Sequence, residues 1–395
     1  MTRITSFIAF FYCCLALNMS HAQQKKIVSQ AGRQFKTAFE EIKLAKNRSN
    51  DKTLVSPRSL RADTIFLVSP KDWTSGFFAG NLWYMYELSG DKYWIEKARE
   101  FTEPLEMQKN NGTTHDMGFK LFCSYGNGLR ITGDPKYKEI LLTAAKTLST
   151  RFNPKIGCLR SWDHNADKWQ FPVIIDNMLN LELLFWATKQ TGDSSYYKIA
   201  TSHADKTMQN HYRPDNSSYH VIGYNPETGQ VEKRNTHQGY SDASSWARGQ
   251  AWGLYGFTMC FRETKNKAYL NHAEKIAAYI LNHPSMPRDL VPYWDYNDPK
   301  IPDAPRDASA AAVTASALYE LSTMNLPKSA FYLETANKIM KSLSSEYTCK
   351  PGTNKGFLLT SSTGHLPSNL EVNVPIVYAD YYYLEALKRA KNLKK

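Results

Sequence analysis

The sequence predicts an all-α fold, an (α/α)6 barrel with inner and outer rings of six helices, and three observations carry that expectation. First, a unit repeats: "SGDKYWIEKA" (89–98), "TGDPKYKEIL" (132–141) and "TGDSSYYKIA" (191–200) each follow an apolar segment and open an amphipathic one. Looser copies stand in "TKNKAYLNHAEKIA" and "NLPKSAFYLETANKIM". Second, the helical segments alternate between two kinds, one apolar around most of its circumference and one apolar on a single stripe. Third, strand-like sequence is scarce. "HVIGYNP" with "QVEKRN" makes a short hairpin at most.

Taken in chain order, the first segment is a leader. Arg3, the apolar run Phe7 to Leu17, and Ser20 and Ala22 before "Q" read as a secretory signal over residues 1–22. Its run is shorter than the roughly 20 residues of a membrane span. The expectation is a released protein, exported and in a bacterium periplasmic, with no membrane association after cleavage. Residues 23–395 carry no Pro/Ser/Gly-rich linker or charge block, so they form one domain. The amphipathic helices fall near 28–45, 92–108, 135–151, 195–211, 267–283 and 330–346. The apolar ones fall near 76–88, 117–131, 176–190, 243–263, 307–323 and 374–391. In each repeat the Gly ends one helix, the Asp or Asn caps the next, and a Tyr anchors it. The first amphipathic helix must then pair with the last apolar one to close the ring.

The formal charge of +12 favours anionic partners, yet the lysines are scattered over polar helix faces. No basic block interleaved with aromatics is present, so nucleic acid is not an expected partner. Cys123, Cys158, Cys260 and Cys349 lie outside the leader, with no C-x-x-C or metal spacing. No metal, cofactor or disulfide is implied, and the sequence specifies no oligomeric state. Nine Trp and 24 Tyr suit stacking on sugar rings and equally suit a large core.

Polar residues recur where the apolar helices begin. "TTHDMGFKLFC" sets His115 and Asp116 before a greasy run, and "PVIIDNMLNLELLFWA" does the same with Asp176 and Asn177. Trp73, Gln238, Arg248 and Asp307 occupy similar positions. If the inner helices run parallel, all of these meet at one mouth of the barrel. Taken singly, each Asp has a plainer use as an N-cap worth roughly 1 kcal/mol.

Six blocks, "DWTSGFFAGNLW", "HDMGFKLFCSYGNG", "IIDNMLNLELLFWA", "HQGYSDASSWARGQAWGLYGF", "PYWDYNDPKIPDAPRDASAAAVTASALYEL" and "VYADYYYLEALKR", together resemble the unsaturated glucuronyl hydrolases of glycoside hydrolase family 88. The resemblance runs in order along nearly the whole mature chain. It implies an (α/α)6 barrel and removal of a 4,5-unsaturated uronic acid from oligosaccharides left by polysaccharide lyases. Expected substrates are acidic disaccharides from hyaluronan, chondroitin or heparin. By the same resemblance Asp176 is the general acid/base and Asp116 its partner carboxylate. A helix N-terminus lowers the pKa of Asp176, whereas burial and the charge of Asp116 raise it, and the sequence does not say which wins. His115 and His220 match contacts to the uronate, and Thr236, Gln238 and Arg248 belong to the same site. Arg248 is expected to pair with an anionic substituent, and Trp73 and Trp252 to stack on sugar rings.

Relatives that favour sulfated substrates carry serines and a lysine ahead of the last helix. Here "TSSTGHLPSNLEVNVP" offers Ser361, Ser362 and Ser368 but no lysine, and Asn373 stands where many relatives have Asp. Sulfate preference is left open. Other readings are an unsaturated galacturonyl or ulvan-oligosaccharide hydrolase on the same barrel, a metal-dependent phosphohydrolase built on His115–Asp116, and a non-catalytic sugar-binding protein. The phosphohydrolase needs further histidines that 92–108 and 117–152 lack.

Overall fold

Each copy of the repeated turn does what its residues dictate. Gly90, Gly133 and Gly192 end helices in the left-handed conformation, at φ of 76°, 69° and 76°. Asp91, Asp134 and Asp193 then accept the backbone N–H two residues on, from Tyr93, Lys136 and Ser195. The fourth copy keeps the geometry without the glycine: Lys265 takes φ 61° and Asn266 accepts from Ala268. The aromatic anchor is fully buried at Tyr137, Tyr269 and Tyr332, and Trp94 takes its place in the first copy.

The computed structural model describes residues 21–393. The expected leader lies outside them except for His21 and Ala22, which begin the first helix. Among the described residues twelve α-helices alternate outer and inner. The outer ring comprises α1 (His21–Arg48), α3 (Tyr93–Thr102), α5 (Pro135–Ser149), α7 (Ser194–Asn210), α9 (Lys267–Asn282) and α11 (Ser329–Glu346). The inner ring comprises α2 (Ser75–Ser89), α4 (Asn127–Thr132), α6 (Leu181–Thr191), α8 (Ala247–Thr264), α10 (Ala308–Ser322) and α12 (Val377–Asn392). Inner helices pack in sequence order, and α12 lies against α2 to close the barrel. The closure differs from expectation in one respect. Helix α1 packs mainly on the turn at 354–356 and on the strand Thr64–Val68, less on α2, and faces α12 across a groove lined by Val28, Met85 and Leu387.

The inner helices α2 and α10 carry no charged side chain through their buried stretches. Ser75 to Met85 of α2 and Ala308 to Tyr319 of α10 are buried without a break. Two inner helices depart from regular α geometry at their N-termini. Gly118–Gly126 is π-helical before α4, and Ile175–Leu179 is a 3₁₀ turn before α6. In the outer ring α3 passes at Pro104 into a 3₁₀ stretch, Glu103–Asn110, where proline lacks the N–H an α-helix would use.

There is more strand than the single hairpin expected. β1 (Ser56–Arg61) pairs with β2 (Thr64–Val68), and β3 (Phe152–Asn153) with β4 (Cys158–Leu159). The expected hairpin is β6 (Val221–Tyr224) with β7 (Val231–Asn235), and β5 (Phe171–Ile174) adds a third strand to it. That strand runs directly into the 3₁₀ turn carrying Asp176. Ile174 pairs with Val221, and the Ile175 N–H donates to the His220 carbonyl at 3.1 Å, which brings His220 beside Asp176. All four described cysteines are free and buried. Among the described residues no helix is long and apolar enough to cross a membrane, and no group of three or more His, Cys, Asp or Glu is placed to hold a metal ion.

Candidate active site

The N-terminal ends of the inner helices surround a cavity of about 400 Å³. Trp73, His115, Asp116, Asp176 and Gln238 all line it, so most of the residues singled out from sequence do converge. His115 and Asp176 are buried at its floor, while Lys71, Thr113, His164 and Leu370 are exposed at its rim.

Asp176 sits on the first 3₁₀ turn with 7% of its surface exposed. Its carboxyl is pushed up to about 7, chiefly by burial and further by Asp116. Arg248, its own backbone N–H and the Trp252 indole oppose the rise without cancelling it. Burial therefore wins the contest that the sequence leaves open. A carboxyl in this state holds its proton near neutral pH and can donate it.

His220 is locked in one tautomer. Its Nδ1 accepts from the backbone N–H groups of both His237 and Gln238, each at 3.0 Å, so the ring proton resides on Nε2. That Nε2 lies 3.6 Å from Asp176 Oδ2, too long for a hydrogen bond, and neither atom has a hydrogen-bond partner. Burial, and then the neighbouring His237, drive the His220 pKa well below its usual value, so the ring stays neutral. Asp116 is held otherwise. Its Oδ2 accepts from Thr114 Oγ1 at 2.6 Å, and its Oδ1 lies 3.2 Å from His115 Nε2.

Polar atoms without partners gather around this floor: His220 Nε2, Asp176 Oδ2, His115 Nδ1, Trp162 Nε1 and Tyr378 Oη. Buried polar atoms are normally paired, so these are donors and acceptors free to bond a polar ligand in the cavity.

Four expected contacts are absent from the lining: His220 is buried beside Asp176, and three others lie elsewhere. Arg248 is 1% exposed and does not line the cavity. Its fork is already occupied, by Asp307 at 2.7 Å and by the carbonyls of Thr363 and Gly364 at 2.6 Å each. It braces the loop before α12 through both terminal nitrogens, and only its buried Nε is without a partner. Trp252 is wholly buried beneath the floor against Phe119 and Tyr382, so no sugar ring can stack on it. Thr236 Oγ1 accepts from the Gly239 N–H at 2.7 Å and shapes its own loop rather than the cavity.

The loop 361–374 contributes to the cavity, but not through its serines. Ser361, Ser362 and Ser368 are absent from the lining, to which Gly364, His365, Leu370 and Glu371 belong. Asn373 is left-handed, at φ 54°, a conformation Asn tolerates well, and it does not cap α12, whose N-cap is Ile376. Sequence reading also passes over a wall of charge. Arg58 of β1 grips Glu371 through two hydrogen bonds of 2.7 and 2.9 Å and Asp72 through a third of 2.9 Å. Trp162 and His164 stack at 17° with centroids 5.1 Å apart, giving the rim a flat aromatic side. The W-x-H spacing was the available signal for that pair. Nothing local signals Arg58.

The chain as a whole is similar to known proteins. The model of Glycosyl Hydrolase Family 88 matches residues 46–391. An unsaturated glucuronyl hydrolase of Formosa agariphila is 52% identical over 337 residues, 85% of this chain and 84% of its own. An unsaturated chondroitin disaccharide hydrolase of Streptococcus pneumoniae is 34% identical over 343 residues, 84% and 85% of the two chains. The crystal structure of an unsaturated glucuronyl hydrolase specific for heparin superposes with a TM-score of 0.86 at 49% identity, covering 93% of this chain and 98% of that one. The fold is the (α/α)6 barrel, and the chain belongs to glycosyl hydrolase family 88 and is a glycoside hydrolase.

Proposed function

We propose that the protein removes 4,5-unsaturated glucuronic acid from the non-reducing end of lyase-generated glycosaminoglycan oligosaccharides, by hydrating the C4=C5 bond. The observation that carries this reading is the Asp176 carboxyl, raised to about 7 at the floor of a closed-ended cavity with a second carboxyl, Asp116, lining the same floor. The unsaturated sugar is a vinyl ether, and its chemistry needs one proton donor that later serves as base. Asp176 gives its proton to C4, and positive charge develops at C5 and the ring oxygen. Asp116, fixed by Thr114 and His115, is the second carboxylate available to stabilise that charge. Water adds to C5 and returns a proton to Asp176. The resulting hemiketal opens to a C5 ketone, and the hemiacetal left at C1 then expels the next sugar. No nucleophile at C1 is required, so the carboxylate spacing of ordinary glycosidases does not govern this site. The neutral Nε2–H of His220 is a donor suited to the uronate carboxylate beside Asp176. The relatives' names, which include unsaturated glucuronyl and chondroitin disaccharide hydrolases, support the substrate class.

We also propose that the enzyme works outside the cytoplasm, on the strength of the leader-like residues 1–22. The test of the activity is loss of the ultraviolet absorbance of the conjugated C4=C5 bond on hyaluronan, chondroitin and heparin disaccharides, with an unsaturated rhamnogalacturonan disaccharide as comparison. Turnover of the galacturonyl substrate alone would move the assignment to that activity.

A further inference from the structure

Two full cationic charges line the cavity, Arg58 and Lys71, and only the first is matched. The donors of Arg58 are taken by Glu371 and Asp72, and Glu371 accepts in addition from Ser59 Oγ at 2.7 Å. Lys71 is the exception. It is exposed, it lines the same cavity, and among the described residues it is the only lysine or arginine of that lining with no hydrogen bond or ion pair. Its backbone is fixed all the same. Asp72 Oδ1 accepts from the N–H and the hydroxyl of Thr74 at 2.8 and 2.6 Å, while Oδ2 is held by Arg58. An ammonium is thus presented on a rigid turn next to Trp73, with its own charge unspent.

Depth in the cavity says which part of a substrate meets it. Asp176 is at the buried floor, so the unsaturated ring must descend there, and the following sugar stays at the exposed rim with Lys71. We propose that Lys71 reads a negative charge on the sugar next to the unsaturated uronate, a sulfate ester or N-sulfate. The enzyme then prefers oligosaccharides sulfated at that sugar, although the loop before α12 has no lysine. This rests on the proposed activity and specifies its substrate further. Neither Arg58 nor Arg248 can take the role, because both guanidinium groups are engaged within the protein. Glu371 does not take up Lys71, since both of its carboxylate oxygens are already held by Arg58 and Ser59.

The test is kcat and KM of the wild-type enzyme, Lys71→Met and Lys71→Arg on three unsaturated substrates. These are an unsulfated disaccharide, the same disaccharide sulfated on the second sugar, and an unsulfated tetrasaccharide with a uronate as its third sugar. A single partly exposed charge-assisted contact predicts about a tenfold loss of kcat/KM for Lys71→Met on the sulfated disaccharide, carried by KM. The unsulfated disaccharide should change by less than about twofold, and Lys71→Arg should recover most of the loss. Equal effects on both disaccharides, or none on either, overturn the proposal. A loss confined to the tetrasaccharide assigns Lys71 to a uronate carboxylate and also overturns it. If the wild-type enzyme turns over none of the three, the proposed activity fails, and tryptophan-fluorescence titration then decides. Weaker binding of only the sulfated disaccharide by Lys71→Met upholds the role of Lys71, and unchanged binding removes it.

Discussion

Replacing Asp176 with Asn should stabilise the protein relative to wild type increasingly as pH rises towards neutrality, while cutting its activity by orders of magnitude. The carboxyl is raised from an ordinary 3.8 to about 7, mainly by burial. That difference is worth about 4 kcal/mol between the two protonation states. Because the folded-state pKa lies above the unfolded one, the native state holds the proton more tightly. Stability tied to that proton is full below pH ~4 and is lost as pH rises to ~7, above which the folded protein carries a buried, poorly solvated anion. Asparagine keeps the shape and never ionises. The stability of Asp176→Asn relative to wild type should therefore climb by up to about 4 kcal/mol between pH 4 and pH 8. For a chain of this length that is a relative rise in Tm of about 5 °C. The assay is differential scanning calorimetry of both proteins at half-unit pH steps, alongside turnover, which should fall by roughly 10²–10⁴. A difference in Tm that stays flat from pH 4 to pH 8 would refute the reasoning, because it would mean that Asp176 ionises as an ordinary carboxyl.

Four further outcomes follow from the structure. Since Asp176 donates only while protonated, kcat/KM should fall as pH rises through about 7, and a profile that stays level to pH 9 would exclude it as the donor. Nitrogen NMR should find His220 neutral with its proton on Nε2 where an ordinary histidine is already charged, whereas an imidazolium or an Nδ1 proton there would contradict the two backbone donors that fix it. Arg248→Met leaves Asp307 buried without its partner and frees the 363–364 carbonyls. The cost should be about 3–5 kcal/mol of stability, with any kinetic defect independent of substrate charge, and a defect that grows with charge would restore Arg248 to the binding surface. At the surface, Lys265→Gly relieves a left-handed non-glycine residue and should raise thermal stability by about 0.5–1 kcal/mol, checked by denaturant melts.

The helices were legible because their signals are local. A Gly-Asp pair ends one helix and caps the next within three residues, and a buried inner helix cannot be confused with a half-exposed outer one. The irregular entries were not legible, since "PVIIDNML" reads equally as the start of an α-helix or as a strand running into a 3₁₀ turn. What decides is pairing of Ile174 with Val221, which lies beyond the reach of a local pattern. The same limit explains the site. Asp116, Asp176, His115, Gln238 and Trp73 were found because each sits near the end of an inner helix. Arg248 and Trp252 share that region, but their positions one turn apart on α8 put both on a face turned into protein. Arg58 and Glu371 are 313 residues apart, and only the closed barrel brings them together.

The central claim is that this site hydrates a double bond and does not hydrolyse a glycosidic bond directly. Turnover in D₂O, followed by NMR of the released sugar, tests that most directly, with the saturated glucuronide of the same disaccharide as control. Asp176 exchanges its proton with solvent, so the account predicts deuterium at C4 of the keto sugar and no reaction of the saturated compound. Cleavage of the saturated glucuronide at a comparable rate, with C4 unlabelled in the product of the unsaturated one, would show Asp116 and Asp176 acting at C1 and would contradict the account.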